Sequence, residues 1–354
     1  MVKKSSDDRG QKDQLLTLIE KINGAGLPEE LKETAAEEVE RLKLSQGTDW
    51  FWQGLRRLSE WNDWIISLPW SKKSDDILSL DYAKGVLDKS HYGLTQLKQR
   101  ILEYLSVMIL QEQRGMELIQ APVLCFIGLV GTGKTTIAKS IADALGRKFI
   151  RIPFGGLGDP LYLRGQSRLH AEADPGQLIK GLRQAGTNNP VILLDEIDRV
   201  ADDALQTIMG VLVELLDPEQ NSRFTDHYIG YPFDLSRAVF IATGNNTRRI
   251  ATAVLDRLEV MQMPSYSDEE KLSIGRSYLL PRAIENSGLR PGELVIEEKC
   301  WQQIVRPLGY DAGVRTLNRT IEAICRKAAM EIVEGKIEKI NLTLENVKNY
   351  LPQW

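Results

Sequence analysis

The chain has 354 residues, a length that suggests two or three domains and a core able to fold without disulfide staples. Hydrophobic residues make up 42% and charged residues 27%, the balance of an ordinary soluble globular protein. A net charge of −4 argues against a dedicated nucleic-acid binder, which would carry a strongly basic domain, but leaves room for a local basic patch.

The start, MVKKSSDDRGQKD, lacks the apolar region of a signal peptide, and Asp7 and Asp8 do not suit a transit peptide. Residues 12–70 read as helical. GLPEELKETAAEEVERLKL places Pro28 near a helix start and acids in the first turn. Phe51, Leu55, Leu58, Trp61, Ile65 and Leu68 then recur at spacings of three and four, the mark of an amphipathic helix. Trp50, Trp52, Trp64 and Trp70 share this stretch. Such aromatics can stack on single-stranded bases, but a regular stripe with few interleaved bases is expected to pack in a core or an interface. Leu68-Pro69-Trp70 breaks the helix. From residue 71 to 264 short apolar runs alternate with helices: VLCFI (123–127), KFIRI (148–152), VILLD (191–195) and AVFIA (238–242). That alternation predicts a parallel sheet flanked by helices. Residues 265–354 read as a small helical domain, with one weak strand at 293–296 and a helix carrying Val314, Leu317, Ile321, Ile324 and Ala328. Cys125, Cys300 and Cys325 form no C-x-x-C pair and read as free thiols of a reducing compartment. No apolar run approaches the ~18 residues that span a membrane. A soluble, cytoplasmic protein without a membrane partner is expected.

Two motifs carry the chemistry. Gly128-Leu-Val130-Gly131-Thr132-Gly133-Lys134-Thr135 follows an apolar strand and opens the helix TTIAKSIADAL, the strand–loop–helix context of a phosphate loop. Glycines let backbone N–H groups turn toward phosphates, the helix N-terminus adds its positive end, Lys134 bridges phosphates, and Thr135 ligates Mg²⁺. Thr136, next in the chain, is expected to bind the nucleotide with them. VILLDEID is an apolar strand ending in two acids, with Asp195 suited to Mg²⁺ and Glu196 to polarising an attacking water. ATP and Mg²⁺ are the expected substrate and cofactor, with hydrolysis rather than binding alone.

From about residue 14 to about 350 the sequence resembles the AAA+ ATPase of the Lon protease family. The resemblance rests on SLPW (67–70), DKSHYGL (88–94), RILEYLSV (100–107), FGG (154–156), LLDEID, ELLDPEQN (214–221), DHY (226–228), LDRLEV (255–260) and GYDAGVRTLNR (309–319). It implies an α/β fold: an AAA+ P-loop NTPase core (71–264), an N-terminal helical region (1–70) and a C-terminal helical lid (265–354). It also implies a ring, a hexamer, with nucleotide between subunits. By the same resemblance Asn245 is the sensor that positions water, and Arg257 the arginine finger that reaches the neighbouring subunit's γ-phosphate. Arg315 is the second sensor on the lid, and His91-Tyr92 lies beside the adenine. Cations arriving from separate bodies suit a transition state loaded with negative charge.

The sequence departs from the family in two respects. The Ser–Lys peptidase domain that follows the lid in Lon is not found before Trp354, so these residues are expected not to cut peptide bonds. Where the family has an aromatic-plus-aliphatic pair in its first pore loop, an ungapped match puts Leu169, His170, Ala171 and Glu172, with Tyr162 or Leu169 as the alternative gripping residue. The expected function is a Lon-like ring ATPase acting on a protein substrate or partner. The alternatives are a nucleotide-switched scaffold and a DNA-associated ATPase.

Overall fold

The computed structural model describes residues 2–48, 50–116, 122–170, 172–306, 311–335 and 337–352, with side chains from residue 13 onward. Ala171 and the Gly309-Tyr310 pair of the motifs above lie outside the described residues.

Three helices open the chain: α1 (Val2–Gly24), α2 (Glu29–Lys43) and α3 (Trp50–Ser67). Pro28 sits at the N-cap of α2, acids Glu29 and Glu30 fill its first turn, and Arg41 and Lys43 its last, an arrangement that complements the helix dipole. The stripe on α3 is buried from Phe51 to Ile65, packed with Leu15, Ile22, Leu31 and Val39. Its aromatics divide. Trp61 is 1% exposed and its indole Nε1 donates to the Ile229 carbonyl at 3.0 Å. Trp64 and Trp70 lean on Tyr228, Tyr231 and Phe233, whereas Trp50 and Trp52 are exposed. The guanidinium groups of Arg168 and Arg183 lie 4.2 Å over Trp61 and Trp64, cation–π contacts that tie α3 to the sheet-bearing part of the chain.

Helices α4 (Leu80–Ser90) and α5 (Thr95–Gln113) precede the first strand. The strands are β1 (Val123–Ile127), β2 (Phe149–Pro153), β3 (Val191–Asp195), a short antiparallel pair β4 (Phe224–Thr225) and β5 (Pro232–Phe233), then β6 (Val239–Gly244) and β7 (Leu258–Gln262). Five of them form one parallel sheet in the order β2-β3-β6-β1-β7. Its central strands are buried on both faces, as apolar runs in parallel sheets must be. Alternate residues feed two cores: Cys125, Ile127, Ile192 and Leu194 face one, Leu124, Phe126, Val191 and Leu193 the other. The second core is completed by α4, α5 and α6 (Lys134–Leu145).

Four strands were not anticipated: β4, β5, β7 and the strand Ile340–Leu342. LEVMQ forms β7 at the sheet edge, with Glu259 half-buried and paired to Arg100 at 2.8 Å. The weak strand near residue 293 is real, β8 (Leu294–Ile296), and pairs in parallel with β9 (Ile340–Leu342). The long C-terminal helix Arg315–Val333 buries Leu317, Ile321, Ile324 and Ala328 against Trp301, Ile304 and Leu342. All three cysteines are buried and unpaired.

Trp61→Ala removes a buried ring, an indole hydrogen bond and the seat of Arg168. It is expected to cost about 3–5 kcal/mol in urea denaturation, while Trp50→Ala, at a position 74% exposed, leaves the midpoint nearly unchanged.

Candidate nucleotide site

At the end of β1 the chain turns through Gly128–Gly133 into α6. Gly131 and Gly133 have φ of 84° and 99°, where a Cβ would be strained. Lys134 is buried, and its ammonium donates to the carbonyls of Gly128 (2.6 Å) and Leu129 (3.0 Å) and reaches Asn245 Oδ1 at 3.4 Å. The Thr132 hydroxyl closes on Leu129 O at 2.9 Å. The loop is thus wrapped around one cation. Burial pulls the Lys134 ammonium below the usual lysine range, while Asp195, Asp198 and Glu196 pull the other way. Val130 and Thr136 are exposed.

Asp195 ends β3. Thr135 Oγ1 stands 3.5 Å from both its carboxylate oxygens. Arg151 Nε donates to Asp195 Oδ2 at 2.7 Å, and the Thr243 hydroxyl donates to Oδ1. Glu196 has φ of 60°, one of two non-glycine residues in the left-handed region among those described. Such a residue costs on the order of 1–3 kcal/mol and persists where its surroundings over-determine it. Its N–H donates to Thr243 Oγ1 at 3.0 Å, and its carboxylate lies 3.5 Å from Arg199. Asn245 directly follows the neighbouring strand β6, and its N–H donates to the buried Asp198 at 3.0 Å. Arg151, Thr243 and Asp198 therefore belong to the site. DEID and ATGN carry two of them, but their roles show only once the strands are adjacent.

His91 is buried beside Gly133, with its Nδ1 2.9 Å from the Ser90 hydroxyl, which in turn meets Ser140 of α6. Its Nε2 faces the Gly133 backbone without a hydrogen bond of good geometry. Burial, with the Lys98 charge adding to it, lowers the imidazole to about 4. Tyr92, next in sequence, is exposed. The pair separates, the imidazole under the loop and the phenol outside.

The chain after β7 reaches the loop directly. Val314 N–H donates to Gly131 O at 3.0 Å, and Tyr266 OH to Thr132 O at 3.2 Å. A Cβ on Gly313 would fall 2.3 Å from the Gly131 carbonyl carbon, so only glycine permits this approach. Arg315, the first residue of its helix, is brought against Gly131. Arg257 is not brought to the loop. Its carbonyl accepts from Val123 N–H at the start of β1, one strand length, roughly 16 Å, from Gly128. Its side chain donates instead to Asp217 Oδ2 and Ala253 O, each at 2.7 Å.

Asn245 Nδ2, Asp198 Oδ1 and His91 Nε2 are buried around this loop without partners among the described residues. Buried polar atoms are rarely left so. With the positive-φ glycines and a hydroxyl facing a carboxylate, they fit a phosphorylated ligand with its Mg²⁺. The chain after β2 presents Leu169, 88% exposed, with His170 and Glu172 also exposed, while Tyr162 is half-buried against the core.

Residues 124–266 match the ATPase family associated with various cellular activities (AAA). Sheet, loop and match make the chain an AAA+ ATPase. Residues 285–340 match the Lon protease AAA+ ATPase lid domain. The chain is similar to the Lon protease of Lawsonia intracellularis, 43% identical over 93% of this chain and 39% of that protein. It is similar also to Lon protease 1 of Bacillus subtilis, 41% over 99% and 44%, and to Lon protease 2 of Thermus thermophilus, 44% over 82% and 37%. It is a Lon-like AAA+ ATPase, and it spans about two-fifths of the length of these relatives. No helix among the described residues is long and apolar enough to cross a membrane.

The lowered His91 value has a stability consequence. Because the folded state resists protonation, the unfolded chain takes up the proton first; the contribution is full above pH 6.5 and is lost as pH falls toward about 4. At pH 4.5 the loss relative to pH 7 is expected to be about 2–3 kcal/mol. Urea denaturation at the two pH values should show that His91→Gln shrinks this difference.

Proposed function

We propose that the chain hydrolyses ATP in a ring of its own copies, as a hexamer, and couples turnover to remodelling or translocation of a protein substrate. The observation that carries the reading is the split catalytic set. Lys134, Thr135, Asp195, Glu196, Asn245 and Arg315 gather at the C-terminal edge of the sheet, and Arg257 stands at the opposite edge. A cation so placed meets a γ-phosphate only when it belongs to a neighbouring copy, which a head-to-tail ring provides.

In this reading the loop amides and Lys134 bind the phosphates. Thr135 and Asp195 hold Mg²⁺, which supplies charge neutralisation when bound. Glu196, fixed in its left-handed conformation, takes the proton of a water that the Asn245 amide orients, and Arg315 carries the nucleotide state to the lid. His91 packs behind the loop, and Tyr92 offers an aromatic face toward the base. The net charge of −4 favours protein over DNA as the substrate. We assign these residues ATP hydrolysis and not peptide cleavage. The buried free thiols suit a cytoplasmic setting.

Lys134→Ala is expected to abolish ATP binding. Glu196→Gln should bind ATP normally and turn over roughly 10²–10⁴-fold more slowly. Equilibrium binding of a fluorescent ATP analogue beside steady-state phosphate release separates the two, and wild-type turnover by Glu196→Gln would remove Glu196 from its role. Stimulation of turnover by an unfolded protein but not by DNA distinguishes the ring motor from a DNA-associated ATPase, and negligible turnover would favour a nucleotide-switched scaffold.

The gripping residue in this reading is Leu169, exposed at the tip of its loop, with less area than an aromatic. Unfolding of a tagged fluorescent substrate is expected to be slow, to vanish in Leu169→Ala and to quicken in His170→Tyr. Unchanged unfolding by Leu169→Ala would assign the grip elsewhere.

A further inference from the structure

ELLDPEQN has no part in the phosphate site, yet its aspartate is bonded to Arg257. Asp217 lies between the helix Leu205–Leu216 and the short turn Pro218–Asn221. Its two oxygens have separate tasks. Oδ1 accepts from the backbone N–H of Glu219 (3.0 Å) and Gln220 (3.3 Å), while Oδ2 accepts from Arg257 Nη2 at 2.7 Å. One oxygen thus anchors the carboxylate to the chain and the other is presented to the guanidinium. Pro218, directly after it, fixes the backbone there.

Arg257 is held at a second point, Nη1 to Ala253 O at 2.7 Å. These contacts engage two of its five N–H donors. The two side chains are 27% and 18% exposed, neither free in solvent nor sealed. Arg257 Nε is buried without a partner among the described residues. An orphan donor is unfavourable, so this pose is not the one that best satisfies the arginine alone. The guanidinium hydrogen bond also holds the Asp217 carboxyl below the usual carboxylate range, and so the anion stays charged at any neutral pH. Arg257 cannot turn to its own phosphate loop, a strand length away at the other edge of the sheet.

We propose that Asp217 is a positioning residue for ATP hydrolysis in the neighbouring copy: it holds Arg257 at the subunit edge in the pose from which the guanidinium meets that copy's γ-phosphate. The inference rests on the reading of Arg257 as an arginine finger. Asp217 itself touches no nucleotide. A flexible arginine released from this hold would sample many rotamers, and misplacement of a catalytic group by 1 Å costs on the order of 10²-fold in rate.

The test uses Asp217→Asn, because asparagine keeps the turn cap and removes only the anion. Turnover is expected to fall on the order of 10²-fold with ATP affinity within about twofold of wild type, while Arg257→Ala falls by roughly 10³-fold. In the Arg257→Ala background, adding Asp217→Asn should change nothing further. The decisive readout is complementation. Glu196→Gln copies keep a finger but cannot hydrolyse; Asp217→Asn copies keep a hydrolytic site but lack a held finger. Mixed one to one, about one interface in four joins a working site to a working finger, and turnover should rise to about that fraction of wild type. A role confined to the fold of the altered subunit would not be rescued this way.

Wild-type turnover by Asp217→Asn overturns the proposal. So does a loss that mixing with Glu196→Gln fails to repair while Arg257→Ala is repaired, since Asp217 would then act within its own subunit. If Arg257→Ala is not complemented either, the finger reading itself fails. Should Asp217→Asn not fold, Asp217→Ser, which also caps, takes its place in the same mixtures.

Discussion

All five strands of the sheet run the same way, and the rest of the molecule follows from that polarity. Helix N-termini and turns with free amides collect at the carboxyl edge, where a phosphate is favoured, and strand ends deliver polar groups to it. β1, β3 and β6 supply Gly128, Asp195 and Asn245 in this manner. The opposite edge receives the strand beginnings, and with them Arg257. A chain of this topology cannot bring both edges to one ligand. Strand direction thus keeps Arg257 apart from the loop within one copy.

The carboxylates at the crowded edge are held in unequal ways. Asp195 is almost wholly buried and bonded by Arg151 and Thr243, and Asp198 accepts the backbone amides of Asn245 and Asn246. Buried charges need such partners. Glu196 instead keeps a half-exposed carboxylate on a strained backbone, with only a loose pair to Arg199. Firmly bonded acids suit fixed roles, and the loosely held acid suits proton transfer.

Much of this was legible from residues alone, for physical reasons. VLCFI and VILLD read as strands because doubly buried strands are uniformly apolar, and the glycine spacing before Lys134 demands the turn it makes. β7 was missed because LEVMQ is an edge strand that includes an acid and a glutamine, so its pattern lacks that uniformity. The stripe on α3 predicted its buried face from Phe51 to Ile65, but spacing could not say that Trp50 and Trp52 would stay in solvent. His91 and Tyr92 were read together, and the backbone separates them. Arg151 was invisible, since a lone arginine in an exposed strand position has no signature until β2 lies beside β3.

The Gly131–Gly313 contact bears on how a movement of the loop would reach the C-terminal helices. Side chains between moving parts act as springs, since rotamers absorb small displacements before a neighbour feels them. Here two backbones touch with nothing between, latched by the Val314 N–H on the Gly131 carbonyl. A shift of a few tenths of an ångström in the loop therefore has no slack to vanish into. The lid moves with it or the contact breaks, so the joint behaves as a stiff gear tooth rather than a cushion.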